Sequence, residues 1–459
     1  MFHVGTLQSK DLERIDLEHL WHPFTQYRLY SKFDCPLIVD SARGFELVDV
    51  DGKKYLDGVS SLWCNIHGHS DPELVEAIKS QCEKLCHSTL LGLAHVPILE
   101  LTEELLKWTP SNLSRVFYAD SGSTAVEASL RMAFEWWQKQ NSPVARKKKR
   151  FASLVNAYHG DTLGALNVGF NELMHSSLKP LAVQSFTVPA PHVFRFFESM
   201  SAEDALEASL SVLNSLFDNH ANEIAAFIIE PLVQGAAGMW IHPAEYLREV
   251  ASLCKKHDVF LIADEVATGF GKTGEMFAVN CAGVLPDLLV LGKGLSGGYL
   301  PISAVAATEQ IFNGFVAPVE DFKTFFYGQT FAGNPLAAHV AKVNLELFRK
   351  RDLLGKIKSN VEYFSSLLSD SLSTLKHVDE VRSFGFMVGI ELTQGVGERK
   401  PYPPEALACW KVVRRARELG VVIRPLGNVL VLMPAVAMGR EELKRLVEVT
   451  VEAIELELG

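Results

Sequence analysis

Residues 261–298 read LIADEVATGFGKTGEMFAVNCAGVLPDLLVLGKGLSGG. The apolar, β-branched run 259–263 is long enough for one buried strand, and 288–291 is a second. Asp264 follows the first run directly, and Lys293 stands just beyond the second. In a parallel α/β sheet both residues face the crevice at the carboxyl ends of the strands, where such sheets bind ligands. A carboxylate there holds a ring nitrogen in its protonated form, and a desolvated lysine amine forms a Schiff base with an aldehyde. Pyridoxal phosphate asks for that pair. Taken singly, Asp264 reads as a helix N-cap and Lys293 as a surface lysine; their delivery to one edge favours a shared site. Gly271-Lys272-Thr273 looks like the close of a phosphate-binding P-loop. That motif needs a glycine five residues before the Gly-Lys pair, and Val266 occupies the place.

Outward from this stretch, other strand ends carry polar groups. The strand expected at 116–119 is followed by Asp120-Ser121-Gly122-Ser123-Thr124 and a helical pattern over 125–138. A strand, a small polar turn and a helix N-terminus together offer free N–H groups, hydroxyls and a favourable dipole to a phosphate. A plain Ser/Thr cap is the commoner fate of such residues. Tyr158-His159-Gly160-Asp161 follows the strand 151–155, where an aromatic ring can lie flat on a cofactor ring. Glu230 closes the strand 225–229 on the same edge, as a supporting or gating carboxylate. Further on, 301–307 reads as a strand, 325–335 as a Gly-containing loop, and 336–350 and 353–375 as helices.

The segments ADEVATGFGKTG and LGKGLSGG resemble the signature of the class III (ω-type) aminotransferases of fold type I, and the resemblance runs in register from Trp21 to about Pro434. It implies an α/β fold: a large domain with a mainly parallel sheet flanked by helices, plus a smaller α/β domain from both chain ends. It implies pyridoxal 5'-phosphate as cofactor, with Lys293, Asp264 and Tyr158 catalytic and Asp161 in support. Ser121, Gly122, Ser123, Gln329 and Thr330 then join those three in holding the cofactor. Phe24, Leu62, Trp63, Tyr158, Gly328 and Arg424 fall on the substrate. In related enzymes the threonine matching Thr330 reaches the cofactor phosphate of the other subunit, which implies a homodimer with shared sites.

Within the class, WHPFTQ (21–26), SSLWCNIHGH (60–69), HSTLLG (87–92), FYADSGSTAVE (117–127), YHGDTLGA (158–165), VQGAAGM (233–239) and RPLG (424–427) resemble the biotin-pathway branch. Its acceptor is 8-amino-7-oxononanoate, with Arg424 on the acceptor's carboxylate. An arginine fork beside a proline suits a carboxylate, although a surface ion pair uses the same residue. In the branch that takes its amino group from S-adenosyl-L-methionine, the resemblance leads one to expect Trp-Trp at Leu62-Trp63, a tyrosine at Phe24 and an aromatic at Val431. The lost aromatic and hydroxyl surface points to lysine as donor. Another class III enzyme acting on a terminal amine such as 4-aminobutyrate, ornithine or β-alanine is the alternative. A catalytically silent pyridoxal-binding protein is disfavoured by the presence of Lys293, Asp264 and Tyr158 together.

The chain has 459 residues, 48% of them hydrophobic, which allows a large domain with a smaller one built around it. The expected division is 1–66 as an N-terminal arm with part of the small domain, 67–340 as the cofactor-binding domain, and 341–459 as the rest of the small domain. In the last part, strands are expected near 386–392 and 421–423 and helices near 405–419 and 440–457. Net charge is −11, so no global field favours nucleic acid. The one dense basic run, 146–150, reads as a solvated loop. Seven cysteines with scattered spacing form no disulfide framework; Cys82 and Cys86 are a helical i, i+4 pair without evident co-ligands. His67 and His69 lack a carboxylate or cysteine partner in sequence, so no metal is expected. Residues 1–20 read as a loose polar arm, 21–26 as an aromatic turn anchored around Pro23, and 37–39 with 45–48 as strands near the turn 51–53. No apolar run reaches about 18 residues, so a soluble, cytoplasmic protein that binds small-molecule substrates and neither nucleic acid nor membrane is expected.

Overall fold

Three apolar runs, Ile224–Ile229, Phe260–Asp264 and Leu288–Leu291, lie side by side and parallel, with every residue buried. Burial on both faces is what a continuous apolar run requires of a parallel strand. The computed structural model describes residues 8–33, 36–183, 185–395, 397 and 399–459. The three runs are the centre of a seven-stranded sheet ordered Leu113–Ala119, Ser303–Thr308, Leu288–Leu291, Phe260–Asp264, Ile224–Ile229, Arg150–Leu154, Phe186–Val188. Only Ser303–Thr308 runs antiparallel to its two neighbours. The register sets Asp264 opposite Val290, three residues ahead of Lys293.

Alternate strand residues serve two layers. Phe260, Ile262, Leu288 and Val290 pack with Ala125, Val126 and Ala133 of the helix Gly122–Gln138. On the other face Ala263, Leu289 and Leu291 meet Ala338, Ala341 and Phe348 of the helix Pro335–Lys350, while Phe227 and Leu261 meet Val250 of Ala244–Lys256 and Phe217 of Ala202–His220. Each fully buried Ile, Leu or Phe contributes about 1.5–3 kcal/mol, so this double-sided core holds the strand ends in place.

The two ends of the chain meet in a second sheet. Val39–Arg43, Glu46–Asp49 and Lys54–Asp57 form an antiparallel meander, and Val421–Val422 adds to it in parallel beside Lys54–Asp57. A third sheet orders Val378–Phe384, Met387–Leu392, Val429–Leu432 and Arg424–Leu426.

Several expectations are corrected. Ser9–His19 is a helix where a loose arm was expected; residues 1–7 lie outside the described residues. The first strand runs Val39–Arg43 rather than 37–39 and turns at Gly44 into Glu46–Asp49, while the expected turn 51–53 joins Glu46–Asp49 to Lys54–Asp57. The helix after Ser121 begins at Gly122, putting Ser123 and Thr124 in its first turn. Trp21 and Phe24 are 89% and 60% exposed, so the turn 21–26 is not packed around its proline within this chain. The basic run is not wholly solvated. Lys148 is buried, its ammonium donating to the carbonyls of Ala221, Ile224 and His257 at 2.8, 3.3 and 3.3 Å. Burial pushes its pKa down to about 8.

Candidate active site

Successive strand ends converge at the carboxyl edge of the large sheet. Asp264 is the last residue of its strand and is almost fully buried. One carboxylate oxygen accepts the Val266 N–H at 3.0 Å, and the other lies 2.7 Å from His159 Nδ1. A carboxylate only accepts, so His159 donates through Nδ1 and orients the group. His159 Nε2 is buried with no hydrogen-bond partner among the described residues.

Lys293 follows the neighbouring strand as the first residue of a short 3-10 helix, with φ 41° in the left-handed region. Its ammonium lies 4.7 Å from the centre of the Trp63 ring. Burial lowers its pKa, against the opposing pull of Asp264 and Glu230. Left-handed backbone at a non-glycine residue costs on the order of 1–3 kcal/mol and persists only when its surroundings over-determine it.

Trp63 reaches the site through a second strained segment. Ser60, Ser61 and Trp63 have φ of 44°, 61° and 64°. Asp57 ties this turn down: its carboxylate accepts from Val59 N–H at 3.3 Å, Ser61 N–H at 2.7 Å, Ser61 Oγ–H at 3.0 Å and His69 Nε2–H at 3.0 Å. Ser60 Oγ donates to the Met433 carbonyl at 2.9 Å, joining the turn to the C-terminal part of the chain.

Tyr158 lies beyond the strand Arg150–Leu154. Its hydroxyl donates to Asp161 at 2.8 Å; burial and Asp161 both raise the phenol pKa. Its backbone N–H donates to one oxygen of Glu230 at 3.1 Å, and Gly235 N–H donates to the other at 2.9 Å. Glu230 thus clamps Tyr158 to the loop after its own strand, and burial raises its pKa to about 7. Ser121 caps the helix Gly122–Gln138 through Thr124 N–H, leaving the N–H groups of the first turn ahead of any i−4 partner. The approach here is close. A Cβ at Gly122 would lie 2.8 Å from Val266, and one at Gly160 would lie 2.2 Å from Ser123 Oγ.

These elements surround a cavity of about 140 Å³ that opens to solvent and is lined by Trp63, Gly122, Ser123, Tyr158, His159, Glu230, Asp264 and Lys293, among others. A carboxylate, a buried lysine amine, aromatic rings and a helix N-terminus around one cavity fit a phosphorylated aromatic aldehyde with a basic ring nitrogen. Of the residues expected from sequence, Lys293, Asp264, Tyr158, Gly122, Ser123 and Trp63 line it, and Ser121 stands behind as the cap. Phe24, Leu62, Gly328, Gln329, Thr330 and Arg424 do not. Phe24, Leu62, Gly328 and Thr330 are exposed in the single chain. Arg424 is half-buried on an edge strand, and no ion pair or side-chain hydrogen bond engages it among the described residues. Burial lowers its pKa. Val431 is fully buried and is not among the residues that line this cavity.

Sequence reasoning assigned no role to His159 or Asp57. His159 had a signal, its place beside Tyr158 at a strand end. Asp57 had none, because its partners meet only in the folded turn. Lys272 of the P-loop-like segment is buried, donates to the Gly269 carbonyl at 3.3 Å, and has a pKa pushed down to about 7 by burial and by Lys293. It presents no ammonium to a surface phosphate. His67 Nε2 pairs with the Asn344 carbonyl at 3.3 Å, and His69 with Asp57.

A model of the Aminotransferase class-III family matches residues 30–454. The chain is 45% identical over 443 residues to the adenosylmethionine-8-amino-7-oxononanoate aminotransferase of Nitratidesulfovibrio vulgaris, covering 96% of this chain and 81% of that one. It is 42% identical to the enzyme of the same name from Anoxybacillus flavithermus, covering 95% and 94%. Among solved structures it resembles the adenosylmethionine-8-amino-7-oxononanoate aminotransferase of Methanocaldococcus jannaschii, with a TM-score of 0.90, 38% identity and coverage of 98% and 100%. It also resembles the ω-transaminase of Pseudomonas jessenii in complex with PMP, with a TM-score of 0.91, 29% identity and coverage of 97% and 98%.

Proposed function

The chain belongs to the class III aminotransferases, which depend on pyridoxal phosphate, and from that premise we propose that it aminates 8-amino-7-oxononanoate to 7,8-diaminononanoate. The observation that carries this reading is the near-full-length similarity, at 37–45% identity, to relatives named for that acceptor. Arg424, half-buried and without a protein counter-ion among the described residues, suits the acceptor's carboxylate.

When bound, pyridoxal phosphate supplies an electron sink and carries the amino group from donor to acceptor. Lys293 holds the aldehyde end of the cofactor. Its amine, made easier to deprotonate by burial, then moves the proton at the substrate carbon. Asp264 keeps the proton on the ring nitrogen, and His159 keeps Asp264 oriented for it. Ser121, Gly122, Ser123 and the helix N-terminus hold the phosphate. Tyr158 and Trp63 exclude water from the reacting carbon. Gln329 contributes to cofactor binding, and Thr330 reaches the partner's cofactor phosphate in a homodimer. The enzyme takes small-molecule substrates, and no helix among the described residues is long and apolar enough to cross a membrane.

Two donors are in play. The names of the relatives carry adenosylmethionine, whereas Leu62 offers no aromatic surface to an adenine and Phe24 lacks a tyrosine's hydroxyl, and both favour lysine. The test supplies 8-amino-7-oxononanoate with lysine or S-adenosyl-L-methionine at one pH and follows the diamine by mass. Diamine from either donor supports the acceptor reading, and the ratio of kcat/KM identifies the donor. Turnover of 4-aminobutyrate, ornithine or β-alanine, with no diamine from either donor, replaces this reading with another class III activity.

A further inference from the structure

Cys82 is the last residue of the helix Pro72–Cys82, and the chain makes one further turn to Cys86, with Leu85 N–H bonded to the Gln81 carbonyl at 3.0 Å. Both residues are exposed and both thiols are free. Their sulfurs stand 3.6 Å apart, in contact, so a bonded pair needs an approach of only about 1.5 Å. The other described cysteines, Cys64, Cys254, Cys281 and Cys409, are buried or half-buried. No group of three or more metal-ligating side chains forms among the described residues, so the pair is not part of a larger ligand set.

The site is joined to a functional segment. The Cys86 carbonyl accepts from Asn334 Nδ2 at 3.1 Å. Asn334 in turn caps the helix Pro335–Lys350 through Leu336 and Ala337 N–H. His87 packs against Phe331 with ring centres 4.9 Å apart. Cys86 is therefore stitched to the end of the segment 325–335.

We propose that Cys82 and Cys86 form a dithiol modification site that reacts with small disulfides of the glutathione type and closes to an intramolecular disulfide. The thiolate of one cysteine attacks a sulfur of the small disulfide and expels one thiolate, forming a mixed disulfide. The second cysteine's thiolate attacks the protein sulfur of that bond and expels the other. Both released thiolates take up the protons that the two cysteines lost. Two electrons pass from the dithiol to the small disulfide, giving one protein disulfide and two small thiols. Sulfurs already in contact make the second step intramolecular and fast, so the mixed disulfide does not accumulate. The bond draws Cys86 toward the helix and alters the contact it makes with Asn334.

The test incubates the holoenzyme with mixtures of oxidised and reduced glutathione, blocks remaining thiols by alkylation, and maps the peptides by mass. The expected product lacks two hydrogens and links the peptides of Cys82 and Cys86. Cys86→Ser is expected to stop at one glutathione on Cys82, and Cys82→Ser at one on Cys86. Both variants keep a small polar side chain at an exposed position, so folding is not at stake. Wild-type enzyme that retains stable glutathione adducts like those of the single variants would overturn the proposal. So would two free thiols under conditions that oxidise a control peptide spanning residues 78–90.

Discussion

Lys293 holds left-handed backbone and a buried amine, two costs that a surface lysine would not carry. If it carries the cofactor, Lys293→Ala abolishes transamination, and borohydride treatment of the loaded wild type leaves the cofactor attached to the Lys293 peptide by mass. Attachment at another lysine would refute the assignment. Asp264→Asn keeps the shape but removes the charge that the proposal sets against the ring nitrogen; a rate loss on the order of 10²–10³ is expected in single-turnover kinetics. Arg424→Ala should raise KM for the keto acid about 10–100-fold, the value of one charged hydrogen-bonded contact. Donor KM should stay nearly unchanged. Glu265 offers a test by pH. It is fully buried, accepting Thr268 Oγ–H at 2.6 Å and Val279 N–H at 2.8 Å, and burial raises its pKa from 4.5 to about 7. A raised carboxyl pKa means that the folded state binds the extra proton between those values. Its contribution is therefore whole below about pH 4.5 and is lost as pH rises through about 7. Denaturant melts of the apo-protein at pH 5 and pH 8 should show Glu265→Gln gaining on wild type at the higher pH by roughly 3 kcal/mol.

At the scale of elements, the site depends on turns more than on strands. The turn carrying Trp63 places three non-glycine residues at positive φ, and Asp57 answers with four accepted hydrogen bonds. Removing a buried charged acceptor of this kind costs about 3 kcal/mol or more. Asp57→Ala should therefore lower unfolding stability by at least that amount in urea. It should also weaken cofactor binding, read from quenching of tryptophan fluorescence. A variant with wild-type stability and cofactor affinity would mean that the turn is held elsewhere. The same logic explains Lys148, which a basic run placed in a solvated loop. Its ammonium is consumed by three carbonyls at the ends of neighbouring elements and also lies 4.9 Å from the centre of the Trp137 ring.

At the scale of the molecule, both chain ends build the sheet under the Trp63 turn, while the segment bearing Gln329 and Thr330 stays outside the cavity of its own chain. A Thr330 that serves the partner's site makes activity a property of the dimer. Lys293→Ala and Thr330→Ala chains, each poor alone, should recover activity when mixed. Each mixed dimer then holds one site with both defects and one with neither, so about a quarter of wild-type activity is expected after random exchange. No recovery after exchange is verified by mass would refute sharing.

The sequence by itself determined the large sheet's central strands, because three apolar runs can be buried on both sides in only a few ways, and each run ends on a residue whose chemistry is local. Asp264, Lys293, Tyr158 and the cap at Ser121 were legible for that reason. The tertiary structure decided whatever depends on partners far apart in the chain. His159 meets Asp264 across 105 positions, Ser60 meets Met433 across 373, and Val431 proves to be core because its strand pairs with Met387–Leu392. A carboxylate, a histidine or a valine has the same local pattern whether it is solvated, clamped or buried. What distinguishes these states is desolvation and hydrogen bonding imposed by distant segments, and these exist only once the chain has folded.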